Sequence, residues 1–123
     1  MIELLAVAAA GAVGAPIRFL VDRYVQRRVA TVFPWGTFVI NASGVFALGL
    51  ITGLAVHHGL GPLGRATLGT GLCGAYTTFS TFTYGTVRLI QDGAWWEAMV
   101  NVAASLGVGL LAAAAGTGVA LVV

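Results

Sequence analysis

The chain has 123 residues, 59% of them hydrophobic and only 8% charged, with a mean hydropathy of +0.96. Six arginines, no lysine and four carboxylates leave a net charge of +2. Soluble domains carry about a quarter charged residues, so this composition excludes an ordinary soluble enzyme, a disordered tail and a nucleic-acid binder, which needs a dense basic footprint.

The chain is expected in a lipid bilayer, where a hydrocarbon core of about 30 Å takes about 20 apolar helical residues. The first predicted span is 2–21, with Glu3 near its start and Arg18 near its end. It does not read as a cleaved leader, because Glu3 replaces the basic cluster and Pro16 and Arg18 occupy the cleavage region. A polar link, 22–34, holds Arg23, Gln26, Arg27 and Arg28. The second span, 35–56, carries no charge. A Gly/Pro-punctuated turn, 57–65, contains His57 and His58, read as solvated because no third ligand accompanies them. The third span, 66–87, is uncharged, and a short link, 88–94, leads to the fourth, 95–123, with Glu97 in its first turn. Trp35, Trp95 and Trp96 fall at span ends, as interfacial anchors do. The fold class expected is an all-α membrane protein, one domain over 1–123 with four transmembrane helices. Four spans put both termini and the 57–65 turn on one side with Arg65 alone. The other side holds Arg23, Arg27, Arg28 and Arg88, with Arg18 just inside the first span, so the positive-inside rule places the termini outside.

Eighteen glycines speak for close helix contacts. Gly49 and Gly53 form a small-xxx-small pair, and Gly107, Gly109, Gly116 and Gly118 thin the last span. One copy of so short a chain hardly encloses a pathway, so an oligomer is expected. Within span two, Thr37, Asn41 and Gly44 share one helical face. An asparagine in hydrocarbon must be bonded or hydrated, and an interhelical bond and a pore role explain Asn41 equally well. Asn101, Ser105 and Gly109 repeat the pattern in span four, and two such faces favour a hydrated path. Span three has Gly69, Gly71 and Gly74 followed by Thr77, Thr78, Ser80, Thr81, Thr83 and Thr86. Such a run supports a helix broken near the membrane midplane, where freed backbone dipoles bind ions. Helical spacing puts Phe79, Phe82, Thr83 and Thr86 on one lining, and Thr77, Ser80, Thr81 and Tyr84 on the opposite one. Cys73 reads as a packing residue, and one cysteine excludes an internal disulfide or a thiolate metal cage.

Three stretches resemble the small fluoride channels of the Fluc (CrcB-type) family: GAVGAPIR at Gly11–Arg18, GTFVINASG at Gly36–Gly44 and GLCGAYTTFSTF at Gly71–Phe82. The resemblance covers essentially the whole chain. It implies an antiparallel, dual-topology homodimer that passes fluoride out of the cytoplasm through two pores. It assigns Phe79 and Phe82 to the paired pore phenylalanines, Asn41 to a pore hydrogen-bond donor, and Thr81 and Ser105 to hydroxyls of the polar track. Arg18 matches a vestibule arginine. Gly74 and Thr77 match the positions whose backbone carbonyls hold a structural Na+ at the dimer centre. The chain departs from the family pattern at Asn101 and Gly109, where a larger aromatic and a hydroxyl are expected. Its arginine bias also exceeds that of a dual-topology chain, so an oppositely oriented paralogue is the alternative partner.

Two other classes compete. A proton-coupled small multidrug-type transporter has similar size and span number, but it needs a carboxylate inside the first span, and Glu3 lies too near the end. A non-conducting subunit of a larger membrane assembly leaves the hydroxyl run of span three without a role. No nucleophile and base stand together outside the spans, so no enzymatic activity is expected.

Overall fold

The computed structural model describes all 123 residues, Met1–Val123, and every regular element is helical. α1 (Ile2–Arg28), α2 (Trp35–His57) and α6 (Trp95–Val122) are each long and apolar enough to cross a membrane. Between α2 and α6 the chain forms a segment in two halves. The first half is α3 (Pro62–Arg65), a π-helical stretch (Ala66–Cys73) and α4 (Gly74–Tyr76); the second is α5 (Phe79–Gln91).

α1 runs further than its apolar stretch. Residues 22–28, expected in a link, are helical because neither glycine nor proline interrupts them, and the helix stops where Val29 turns extended (φ −123°, ψ 98°). At about 1.5 Å per residue α1 is about 40 Å long, against a hydrocarbon core of about 30 Å. Its charged last two turns therefore reach beyond the apolar layer. α5 ends on a Schellman motif, with Gly93 at φ +78°, the Gly93 N–H donating to Ile90 and the Ala94 N–H to Leu89.

The helices alternate in direction. α2 and α6 run parallel, with Gly49 against the Ala113 carbonyl, Gly53 against Ala120 and Gly116 against the Phe46 carbonyl. Thr117 Oγ1 donates to the Gly49 carbonyl at 3.2 Å. The Gly49/Gly53 pair thus lets two backbones touch, as small residues do in membranes. A Cβ on Gly107, Gly109 or Gly118 would instead meet no other element within 4 Å, so these glycines make no close helix contact. The third segment runs antiparallel to α2, since Gly69 lies beside Leu48, Gly44 beside Thr77, and Thr81 across a groove from Thr37. Its π-helical part lies along α1: a Cβ on Gly71 would come within 2.8 Å of the Val7 carbonyl oxygen, and Gly11 and Gly14 face Ala75. The GAVG stretch of α1 is therefore the cradle for the first half-segment. Cys73 is buried in that packing.

Two consequences follow for the molecule's ends. Because α2 and α6 are parallel, Trp35, Trp95 and Trp96 all stand at one end, with Arg88 and the charged tip of α1. Arg65 and the histidine turn lie at the other, where a ring nitrogen of His58, expected in solvent, sits 2.6 Å from the Ala120 carbonyl oxygen. Only 16 of 123 residues are buried, so most apolar side chains face outward.

Candidate functional site

The third segment breaks at Thr77 and Thr78, the only two non-helical residues between Pro62 and Gln91. Thr77 (φ −76°, ψ 160°) and Thr78 (φ −151°, ψ 120°) are extended. The break stands level with Asn41 and Gly44, roughly 9–14 Å from the start of α2 at 1.5 Å per residue. The midpoint of the 23-residue α2 is about 17 Å from that start, so the break lies within about 3–8 Å of the middle of α2, on its tryptophan side.

Local chemistry explains where the chain breaks. Thr78 is the N-cap of α5: its Oγ1 accepts the Thr81 N–H at 3.2 Å, satisfying one of the orphan donors of a helix start. Thr77 closes the first half, its N–H and its Oγ1 both donating to the Cys73 carbonyl at 2.9 Å. Asn41 then clamps the gap. Its Nδ2 donates to the Thr78 carbonyl at 3.0 Å and its Oδ1 accepts the Thr78 N–H at 2.9 Å. One side-chain amide thus replaces both backbone partners that Thr78 would have had in a continuous helix. Of the two readings that the sequence left open, the interhelical bond is present, and one Nδ2 hydrogen is left over for another acceptor. Gly44 makes room for the break, since a Cβ there would collide with Thr77 Cγ2.

Two grooves flank α5. The first, of about 280 Å³, is lined by Asn41, Val45, Thr77, Thr78, Phe79, Phe82, Ser105 and Leu106. The Phe79 and Phe82 ring centroids are 5.9 Å apart at an interplanar angle of 43°. No charged side chain lines this groove, and it borders the N-terminal turn of α5, the partially positive end of a helix. Phe79 is 79% exposed, so this lining is open on one side. The second groove, of about 380 Å³, lies across α5 at the tryptophan end. Its polar lining includes Asp22, Gln26, Thr37, Thr81, Tyr84 and Arg88.

The two opposite linings expected of one helix are present in part: Phe79 and Phe82 line one groove and Thr81 and Tyr84 the other, while Ser80, Thr83 and Thr86 line neither. Thr77 sits with Phe79 and Phe82, not with Thr81 and Tyr84, because helical periodicity does not carry across the break. Asn41, Phe79, Phe82 and Ser105 come together; Thr81 belongs to the second groove; Arg18, half-buried on α1, lines neither. Gly74 is exposed beside the break. Its carbonyl loses its helical donor because the Thr78 N–H is taken by Asn41, and the Thr77 carbonyl loses its own because the Thr81 N–H is taken by Thr78. Asn101 is fully buried outside the groove, its Nδ2 donating at 2.9 Å to Thr86 Oγ1, which in turn donates to the Phe82 carbonyl at 2.8 Å. Sequence reasoning missed Thr78 as the keystone of the site. Its signal was present, a threonine three residues before a further hydrogen-bonding residue at the head of a helix.

Sequence comparison with known proteins finds matches over nearly the whole chain. Residues 5–117 match the family model described as CrcB-like protein, Camphor Resistance (CrcB). A Streptomyces avermitilis protein named fluoride-specific ion channel FluC 1 is 53% identical over 112 residues, covering 91% of this chain and 90% of its own length. A Frankia casuarinae protein of the same name is 48% identical over 122 residues, covering 94% of each chain. The fluoride-specific ion channel FluC of Acidobacterium capsulatum is 46% identical over 107 residues, covering 86% of each. With that match and its membrane-length apolar helices, the chain belongs to the CrcB-like family and is a multi-pass membrane protein.

Proposed function

We propose that the chain is a fluoride-selective passive channel that exports fluoride from the cytoplasm, working as an antiparallel, dual-topology homodimer in the cell membrane. The observation that carries this reading is the uncharged groove that gathers Asn41, Phe79, Phe82 and Ser105 at the head of α5. Fluoride is small and strongly hydrated, so a narrow path must replace its water with donors. The spare Nδ2 hydrogen of Asn41 and the Ser105 hydroxyl are such donors, and ring edges of Phe79 and Phe82 present the positive rim of the aromatic quadrupole. The helix N-terminus adds a fixed partial positive charge of about half a unit. Without a full cation in the lining, the anion is attracted but released, as conduction requires.

One chain supplies only part of such a path, because Phe79 lies open. A second, inverted copy would cover it and build two equivalent pores. Thr81, on the other lining of α5, would then serve the polar approach, and Arg18 a vestibule. The carbonyls of Gly74 and Thr77, freed from the helical ladder beside an exposed glycine, fit a sodium ion at the dimer centre. Such an ion would supply positive charge against the partially negative end of the first half-helix.

Fluoride release from liposomes tests the reading residue by residue. Phe79→Ile and Phe82→Ile each keep apolar bulk but lose the ring edge, and both are expected to lower fluoride flux by at least tenfold while the dimer still assembles. Unimpaired flux in both would reduce the rings to packing.

A further inference from the structure

We propose that the outer face of the last two turns of α1 binds the headgroup of an anionic phospholipid. Arg23, Tyr24 and Arg27, together with Leu20 and Val21, line an open groove of about 470 Å³. Arg23 and Arg27 are four residues apart and share one side of the helix. Asp22 and Gln26, one residue earlier in each turn, line the polar groove on the other side. The tip of α1 is thus a wall with two faces, one towards the second groove and one away from the bundle.

The arginines of the outer face are not neutralised by the chain itself. The nearest acid in sequence, Asp22, is turned onto Gly36, and the ion pair of the fold joins Arg88 to Asp92 elsewhere. Aromatic rings lie beside two of the guanidinium groups instead: Arg23, in the groove, is 5.8 Å from the Phe19 ring centroid, and Arg28, beside it, is 4.9 Å from that of Tyr24. The groove also sits at the right depth. α1 outreaches the hydrocarbon core by several residues, and Trp35, Trp95 and Trp96 mark the same end of the molecule. A phosphodiester placed there would meet two guanidinium groups that bond its oxygens in fork geometry. The first carbons of its acyl chains would meet Leu20 and Val21. That pairing of charge with apolar surface selects a lipid over a free anion. Because Asp22 and Gln26 share these turns, a bound headgroup would also steady one wall of the polar groove.

Native mass spectrometry of the detergent-solubilised protein tests the site without reference to conduction, so its failure is distinct from failure of the channel reading. Phosphatidylglycerol is expected to remain bound where phosphatidylcholine is stripped. In the double variant Arg23→Gln/Arg27→Gln its affinity should fall roughly 25-fold, the equivalent of about 1 kcal/mol per arginine. Arg65→Gln, at the opposite end, should leave binding unchanged. Equal retention of phosphatidylglycerol by the double variant would overturn the proposal. So would equal retention of the two lipids by the unmodified protein, or displacement of phosphatidylglycerol by millimolar inorganic phosphate, which would make the groove a simple anion site.

Discussion

Replacing Asn41 by leucine removes the clamp on the broken segment and leaves both backbone groups of Thr78 without partners. Thr78 is only 8% exposed, so water reaches those groups poorly. An orphaned buried donor or acceptor costs about 1–3 kcal/mol, while interhelical bonds in membranes average about 0.6 kcal/mol and reach about 1.7. Two orphaned groups, with one face of the groove open to partial hydration, therefore place the loss at about 2–4 kcal/mol. The effect should be local before it is global. Hydrogen exchange at the Thr78 amide, followed in detergent micelles, should accelerate roughly thirtyfold to several-hundredfold, at 1.4 kcal/mol per decade, while amides in the α2–α6 pair keep their protection. Asn41→Asp separates the two bonds. Its carboxylate can still accept the Thr78 N–H but cannot donate to the Thr78 carbonyl, so exchange at Thr78 should stay slow although thermal stability falls. Unchanged exchange and unchanged melting in Asn41→Leu would refute the idea that this amide holds the break.

Other expectations follow from the same contacts. Gly116→Ala should lower thermal stability in detergent by about 1–3 kcal/mol, because the new methyl meets the Phe46 carbonyl, which cannot swing aside. Gly118→Ala, two residues on and facing open space, should be neutral or slightly stabilising through helix propensity; equal effects at both positions would contradict the parallel α2–α6 contact. Thr86→Val is nearly isosteric but deprives the buried Asn101 of its partner and the Phe82 carbonyl of a donor. It should cost about 1–2 kcal/mol and lower fluoride flux, and Thr86→Ser should restore both. Lost stability with unchanged flux would confine that chain of bonds to packing.

Much of this architecture is legible in the order of residues. Charges mark the helix ends, and the hydroxyl run after Gly74 announces a break that Thr78 and Thr77 then make with their own side chains. Asn41 stands out because an amide in hydrocarbon demands a partner, yet nothing in its neighbourhood says that the partner is the backbone of a residue 37 positions away. What stays hidden depends on tertiary context. The π-helical turns of Ala66–Cys73 arise where glycines let α1 and the third segment press together, a contact that no local propensity encodes. Thr77 changes lining because the break resets the helical phase. Asn101, on a polar stripe with Ser105, turns instead to Thr86 and is buried, and only packing of α5 on α6 decides that. The charged tip of α1 read as a link because polarity suggests a loop, whereas the backbone follows the absence of glycine and proline.

The most direct measurement is ion release from liposomes reconstituted with the purified protein, loaded in parallel with fluoride or chloride and followed by ion-selective electrode. Fast fluoride release, no chloride release above protein-free liposomes, and no dependence on an imposed proton gradient are expected. Chloride leaving at a rate comparable to fluoride, or fluoride release that requires a proton gradient, would contradict a passive fluoride-selective path through the groove of Asn41, Phe79, Phe82 and Ser105.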